Sequence, residues 1–214
     1  MDTSITPTTA SLTTPRLVDI KLIADGWIKK YVLTYELPDK TLYTYDCASR
    51  KAPDAFRAGL EANAASQAVT ADAVCIVGLT ENDELLMIRE FRYPLNSWCI
   101  AFPAGLMEPG EDLATCVDRE LREETGYALR VSDGADLSSA ITPLPQAGFS
   151  STGLTDETVQ IVYAQVTRVA DATPERGELI EQFLLNRAHV ADFIASNTTP
   201  IGTRAQLVLE SFRS

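Results

Sequence analysis

Residues 105–127 read GLMEPGEDLATCVDRELREETGY, and the fold turns on how this stretch is read. Gly105 to Glu111 is punctuated by glycine and proline, which predicts a loop. From about Asp112 to Thr125 the spacing predicts a helix, with Leu113, Val117 and Leu121 forming its buried stripe at four-residue intervals and Gly126 its stop. Glu111, Glu120, Glu123 and Glu124 bring four carboxylates onto that loop and helix. At about 100° per residue, Glu120 and Glu124 share one face and Glu123 lies beside them. Carboxylates one turn apart repel unless a cation lies between them, and hard oxygen ligands on a rigid helix suit Mg²⁺ or Mn²⁺. The competing reading is a solvated face laced with pairs such as Arg119 to Glu123.

Upstream, LVDIKLIAD, GWIKKYVLTYEL and TLYTYDCAS alternate and predict three antiparallel strands, with Pro38–Lys40 as a turn. Residues 52–73 are alanine-rich and suit a short helix or a long connection. AVCIVGLT and ELLMIREFRY predict two strands joined at Glu81–Asp83, and WCIAFPAG another that breaks at Pro103. Beyond the helix come short strands around Leu129–Val131 and Ile141, a firmer one in TVQIVYAQV, and helices in NRAHVADFIA and TRAQLVLESF. Strands and helices mix without regular alternation, which predicts an α+β fold. The organisation expected is a mobile Thr/Ser/Pro-rich tail over 1–15, an N-terminal β unit and connection over 16–70, and a main domain over 71–214.

The chain has 214 residues, 18 Lys plus Arg against 30 Asp plus Glu, and a net charge of −12. Such a field repels a phosphate backbone, which argues against nucleic-acid binding, but an acidic protein still takes phosphates through a divalent cation. The longest apolar run, Ala73–Val77, is far short of the roughly 20 residues that span a bilayer. With no basic leader ahead of an apolar segment, the expected location is cytoplasmic and the expected membrane partner none. Cys47, Cys75, Cys99 and Cys116 show no metal-ligand spacing and read as free thiols, mostly in apolar settings. His189, the single histidine, reads as a helix-surface residue.

The 105–127 stretch resembles the Nudix box: Gly, five residues, Glu, seven residues, Arg-Glu, an aliphatic, any residue, Glu-Glu, any residue, Gly, an aliphatic. Gly105, Glu111, Arg119, Glu120, Leu121, Glu123, Glu124 and Gly126 fall in place, and only Tyr127 departs. The resemblance implies a mixed sheet sandwiched between helices and metal-dependent pyrophosphate hydrolysis. It makes Glu120 and Glu124 the main metal ligands, Glu123 an outer or second-metal ligand, and the Ala104 carbonyl a further one, with Arg119 orienting the carboxylates.

The flanks look like the ADP-ribose pyrophosphatase group. EFRYP followed by WCIAFPAGLMEPGE resembles that group's Arg-containing strand and its approach to the box, and Pro143 stands where the group tends to carry proline. Trp27 and Tyr45 are spaced like a pair of aromatics that sandwich adenine across a homodimer built on the N-terminal β unit; as plain residues they also suit ordinary strand positions. Asp46, Arg50, Arg92, Ala104 and Leu106 are the other substrate-side candidates that the resemblance implies. Ala101 departs from the group, where many members carry Glu. For the general base the resemblance offers Glu178 in ERGELIEQF, preferred over Glu157 in STGLTDET. The expected reaction is Mg²⁺-dependent cleavage of ADP-ribose, or a related nucleoside diphosphate sugar, to AMP and ribose 5-phosphate. The alternatives are another nucleotide substrate, such as GDP-mannose or a dinucleoside polyphosphate, and a non-catalytic nucleotide-sugar sensor.

Overall fold

A computed structural model describes residues 14–65, 67 and 69–213. The tail expected over 1–15 falls almost wholly outside them. The chain forms two compact units, one of Met1–Ala68 with Phe149–Glu157, the other of Val69–Gly148 with Thr158–Ser214.

The smaller unit is an antiparallel sheet of β1 (Arg16–Ala24), β2 (Lys29–Glu36) and β3 (Leu42–Ser49), followed by α1 (Pro53–Ala64). Alternation explains its core: Tyr31 and Leu33 of β2 are buried with Phe56 of α1, and Ile20 and Leu22 of β1 pack against them. Pro53 opens α1, where its fixed φ and missing N–H cost nothing. The returning segment 149–157 is tied to β3 by Ala48 N–H donating to the Leu154 carbonyl (2.8 Å) and by Lys51 pairing with Asp156 (2.9 Å).

The larger unit is built on β4 (Ala73–Leu79), whose residues are buried along almost their whole length because both faces are covered. β4 pairs antiparallel with β5 (Glu84–Arg92) near its end and with β7 (Ala104–Leu106) near its start, and parallel with β11 (Thr158–Arg168). β6 (Ser97–Ala101) and β12 (Ile180–Asn186) flank β5. The short β8 (Tyr127–Leu129) and β9 (Ile141–Pro143) pair with β11, and the two-residue β10 (Gly148–Phe149) stands where the chain passes between units. On one face Cys75, Val77, Leu85 and Met87 pack with Val190 of α3 (Val190–Ser196) and Leu209 of α4 (Thr203–Ser211). On the other, Val74, Ile76, Leu86 and Val162 pack with Cys116, Val117 and Leu121 of α2 (Leu113–Thr125). This is the expected mixed sheet between helices.

Three expectations need adjusting. The stretch from Gly105 is not all loop, since Ala104–Leu106 supplies the backbone partners that the start of β4 requires. The strand expected around Leu129–Val131 starts two residues earlier, because Gly126 ends the helix and the chain pairs with β11 at once. His189 is exposed but closes a 3₁₀ turn (Arg187–His189) ahead of α3. Among the described residues no helix is long and apolar enough to cross a membrane.

Candidate active site

The site begins with how α2 is held. Asp112 caps it, its carboxylate accepting from the N–H groups of Ala114 (3.0 Å) and Thr115 (3.1 Å). Gly126 ends it at φ +73°. Between these ends the apolar stripe packs on the sheet, which turns Glu120 and Glu124 inward as well; both are buried.

Arg119 organises this acid cluster. Its Nε and Nη2 donate to the two oxygens of Glu111 (2.9 and 3.0 Å), a bidentate pair. Nη1 donates to Glu120 (2.8 Å) and Glu123 (3.1 Å), and Nη2 also donates to the Leu106 carbonyl (3.0 Å). Glu124 instead accepts from the Ala104 N–H (3.1 Å), which ties the last turn of α2 to β7. Gly105 lets that strand pass: a Cβ there would stand 2.0 Å from the Glu120 carboxylate.

Electrostatics split the cluster. The Arg119 guanidinium holds Glu111 down at about 2. Burial raises Glu120, and burial together with the charge of Glu120 raises Glu124 well above the ordinary carboxylate value. Glu90 and Glu178 add to the repulsion felt at Glu124. Two desolvated carboxylates that repel each other are relieved by a divalent cation, and hard oxygen donors are the kind Mg²⁺ accepts. Among the described residues no three Asp, Glu, His or Cys side chains are grouped to hold a metal. Glu120 and Glu124 are the two buried carboxylates that could serve a cation, whose remaining positions would be filled by backbone, water or phosphate oxygens.

Glu90 was not singled out by the sequence. Its side chain is 12% exposed, and Arg92 Nη2 stands 2.8 Å from its Oε2, off the direction a hydrogen bond needs. Burial raises its pKa first, against the pull of Arg92. Strand alternation was the available signal: Glu90 continues the face of β5 that carries Leu86 and Ile88. Arg92, half exposed, thus sits beside an acid rather than alone.

Glu178 lies in the loop before β12, and its charge is felt at Glu120 and Glu124. The remaining candidates belong to the smaller unit. Trp27, between β1 and β2, is 74% exposed. The Tyr45 O–H donates to the Gly153 carbonyl (2.8 Å), Asp46 pairs with Lys30 (2.8 Å), and Arg50 pairs with Glu157.

The NUDIX domain model matches residues 69–197. The chain belongs to the NUDIX family. Among curated relatives of this NUDIX chain, an ADP-ribose pyrophosphatase of Saccharomyces cerevisiae is 42% identical over 79 residues, covering 37% of this chain and 32% of its own. An ADP-ribose pyrophosphatase of Bacillus subtilis is 33% identical, covering 50% and 52%, and an ADP-sugar pyrophosphatase of Mus musculus is 31% identical, covering 53% and 48%. The matched region thus spans between a third and about half of these relatives' lengths. A crystal structure of an ADP compounds hydrolase superposes with a TM-score of 0.69 at 20% identity, covering 96% of this chain and 95% of that one, a likeness of fold.

Proposed function

We propose that this NUDIX chain, with Mg²⁺ as cofactor, hydrolyses the pyrophosphate bond of ADP-ribose to AMP and ribose 5-phosphate, or that of a related nucleoside diphosphate sugar to the corresponding nucleoside monophosphate and sugar phosphate. The observation that carries the reading is the Glu120–Glu124 pair, buried, mutually repelling and oriented by Arg119 and the Ala104 amide. Glu120 and Glu124 would hold Mg²⁺, or Mn²⁺ in its place, with the Ala104 carbonyl, and Glu123 would serve as an outer ligand; the bound cation would supply positive charge to the diphosphate and lower the pKa of the attacking water. Arg119 keeps the carboxylates aimed. Arg92 and the backbone at Leu106 face the diphosphate. Glu178 takes the proton from the attacking water. It is preferred to Glu157 because its charge reaches Glu120 and Glu124.

The relatives named for ADP-ribose and ADP-sugars support the substrate class. The expected 16–70 unit, which residues 149–157 also join, then serves for dimerisation and the rest of 71–214 is the hydrolase domain, with Trp27 and Tyr45 stacking on adenine and Asp46 and Arg50 beside them. The exposure of Trp27, Leu42 and Tyr43 in one small unit supports a homodimer. The enzyme is proposed to be cytoplasmic, and its net charge of −12, which repels a phosphate backbone, supports the reading that it binds no nucleic acid.

The deciding assay measures release of the nucleoside phosphate product (AMP, GMP or their counterparts) with Mg²⁺ across ADP-ribose, other nucleotide sugars and dinucleoside polyphosphates, ranked by kcat/KM. ADP-ribose or another ADP-sugar should lead. Preference for a guanine or dinucleoside substrate would reassign the specificity, and tight binding without turnover would make the protein a sensor.

A further inference from the structure

The segment that carries Glu178 is fastened to the end of β5 at two points. Phe91 N–H donates to the Leu179 carbonyl (3.0 Å), and the Tyr93 O–H donates to the Gly177 carbonyl (3.0 Å). Glu178 is the one residue between those two carbonyls. Locally it closes a small ring: its N–H donates to the Glu175 carbonyl (3.0 Å), and its carboxylate accepts from the Glu175 N–H (2.8 Å). Gly177 makes the reversal at φ +98°, a conformation that side-chain-bearing residues rarely adopt.

Tyr93 is itself well placed to act as a fixed post. It opens a 3₁₀ turn (Tyr93–Leu95) that Asn96 ends in the left-handed region. Its ring meets Phe91 edge-on at 5.4 Å, and Phe91 meets Trp98 edge-on at 6.0 Å. The edge contact with Phe91 restrains the Tyr93 ring, which is otherwise 66% exposed, on the side from which its hydroxyl reaches the loop. A backbone hydrogen bond at 179 alone would leave the Gly177 side free to swing about its glycine; the phenol removes that freedom.

We propose that Tyr93 is a positioning residue for Glu178, its hydroxyl holding the loop so that the carboxylate stays within reach of the water to be deprotonated. The proposal rests on Glu178 being the base, and it assigns Tyr93 no contact with substrate.

Tyr93→Phe removes one hydroxyl and keeps the ring. Amide hydrogen exchange over 175–179 should quicken, and kcat for ADP-ribose should fall about fivefold, the factor one net hydrogen bond carries, with KM unchanged. In a Glu178→Gln background the same substitution should leave the residual kcat unaltered. Unchanged exchange, unchanged kcat despite a loosened loop, or an equal loss in both backgrounds would each overturn the proposal. If Glu178→Gln keeps wild-type kcat while Glu124→Gln is inactive, the base assignment fails and the role of Tyr93 with it. If no nucleotide sugar is hydrolysed by the wild-type protein, the proposed function fails, whereas the exchange experiment still judges the clasp.

Discussion

Glu111 and Glu124 stand thirteen positions apart in one segment, yet their surroundings push them in opposite directions. Glu111 is stabilised as an anion by Arg119, so its contribution is present above the ordinary carboxylate value of 4.5 and is lost as pH falls toward about 2. Glu124 behaves in the reverse sense. Its folded form prefers the proton, so the stability it contributes below 4.5 is lost as pH rises through its elevated value. In EDTA, the melting temperature should therefore decline as pH climbs from 4.5 to neutrality, and Glu124→Gln should flatten that decline. Mg²⁺ should do the same for the wild type. The same variant should lose turnover by orders of magnitude while melting no lower than wild type, as followed by calorimetry and AMP release. Two of these acids were legible from register alone, because helix periodicity puts Glu120 and Glu124 on one face. Glu90 was not: alternation along β5 places it on the face of Leu86 and Ile88, but its nearness to Glu124 comes from strand pairing between residues far apart in the chain.

At the level of elements, α2 is defined at both ends by residues whose type matters. Gly126 has φ +73°, and a Cβ there would lie 2.3 Å from the Ala170 carbonyl oxygen. Its own carbonyl accepts from Val169 and Ala170 N–H groups, so the segment after β11 is laced to the helix end. Gly126→Ala should destabilise the protein by more than about 1 kcal/mol, read by urea denaturation, because neither the dihedral nor the facing backbone can give way. The helices α2, α3 and α4 were legible because their periodicity is local, and β4 because it is a short continuous apolar run bounded by a turn; α1 was left open between a helix and a long connection. Where periodicity is absent, as in β7 and β8, only the pairing requirement of a neighbouring strand defines the element, and that partner lies elsewhere in the sequence. The direction of pairing was equally hidden: nothing in TVQIVYAQV says that β11 runs parallel to β4.

For the molecule as a whole, the exposed Trp27, Leu42 and Tyr43 make a testable demand. Light scattering should give a mass near twice 23.3 kDa, and Trp27→Glu with Leu42→Glu should halve it and weaken ADP-ribose hydrolysis if each adenine site takes a ring from both subunits. A wild-type monomer with full activity would end the shared-clamp reading. The division of the chain was only partly legible. The alanine-rich stretch over 52–73 was the one sign of a boundary, and the return of 149–157 to the smaller unit rests on contacts such as Lys51 with Asp156, which no local pattern announces. That return sets an order of events during synthesis. Lys51 leaves the ribosome 105 residues ahead of its partner, a delay of roughly 5–20 s at ordinary elongation rates. Until then the N-terminal strands have their helix but not their last strap, and a nascent chain halted before Gly153 would present an unfinished sheet edge to whatever chaperone or sister chain is nearby.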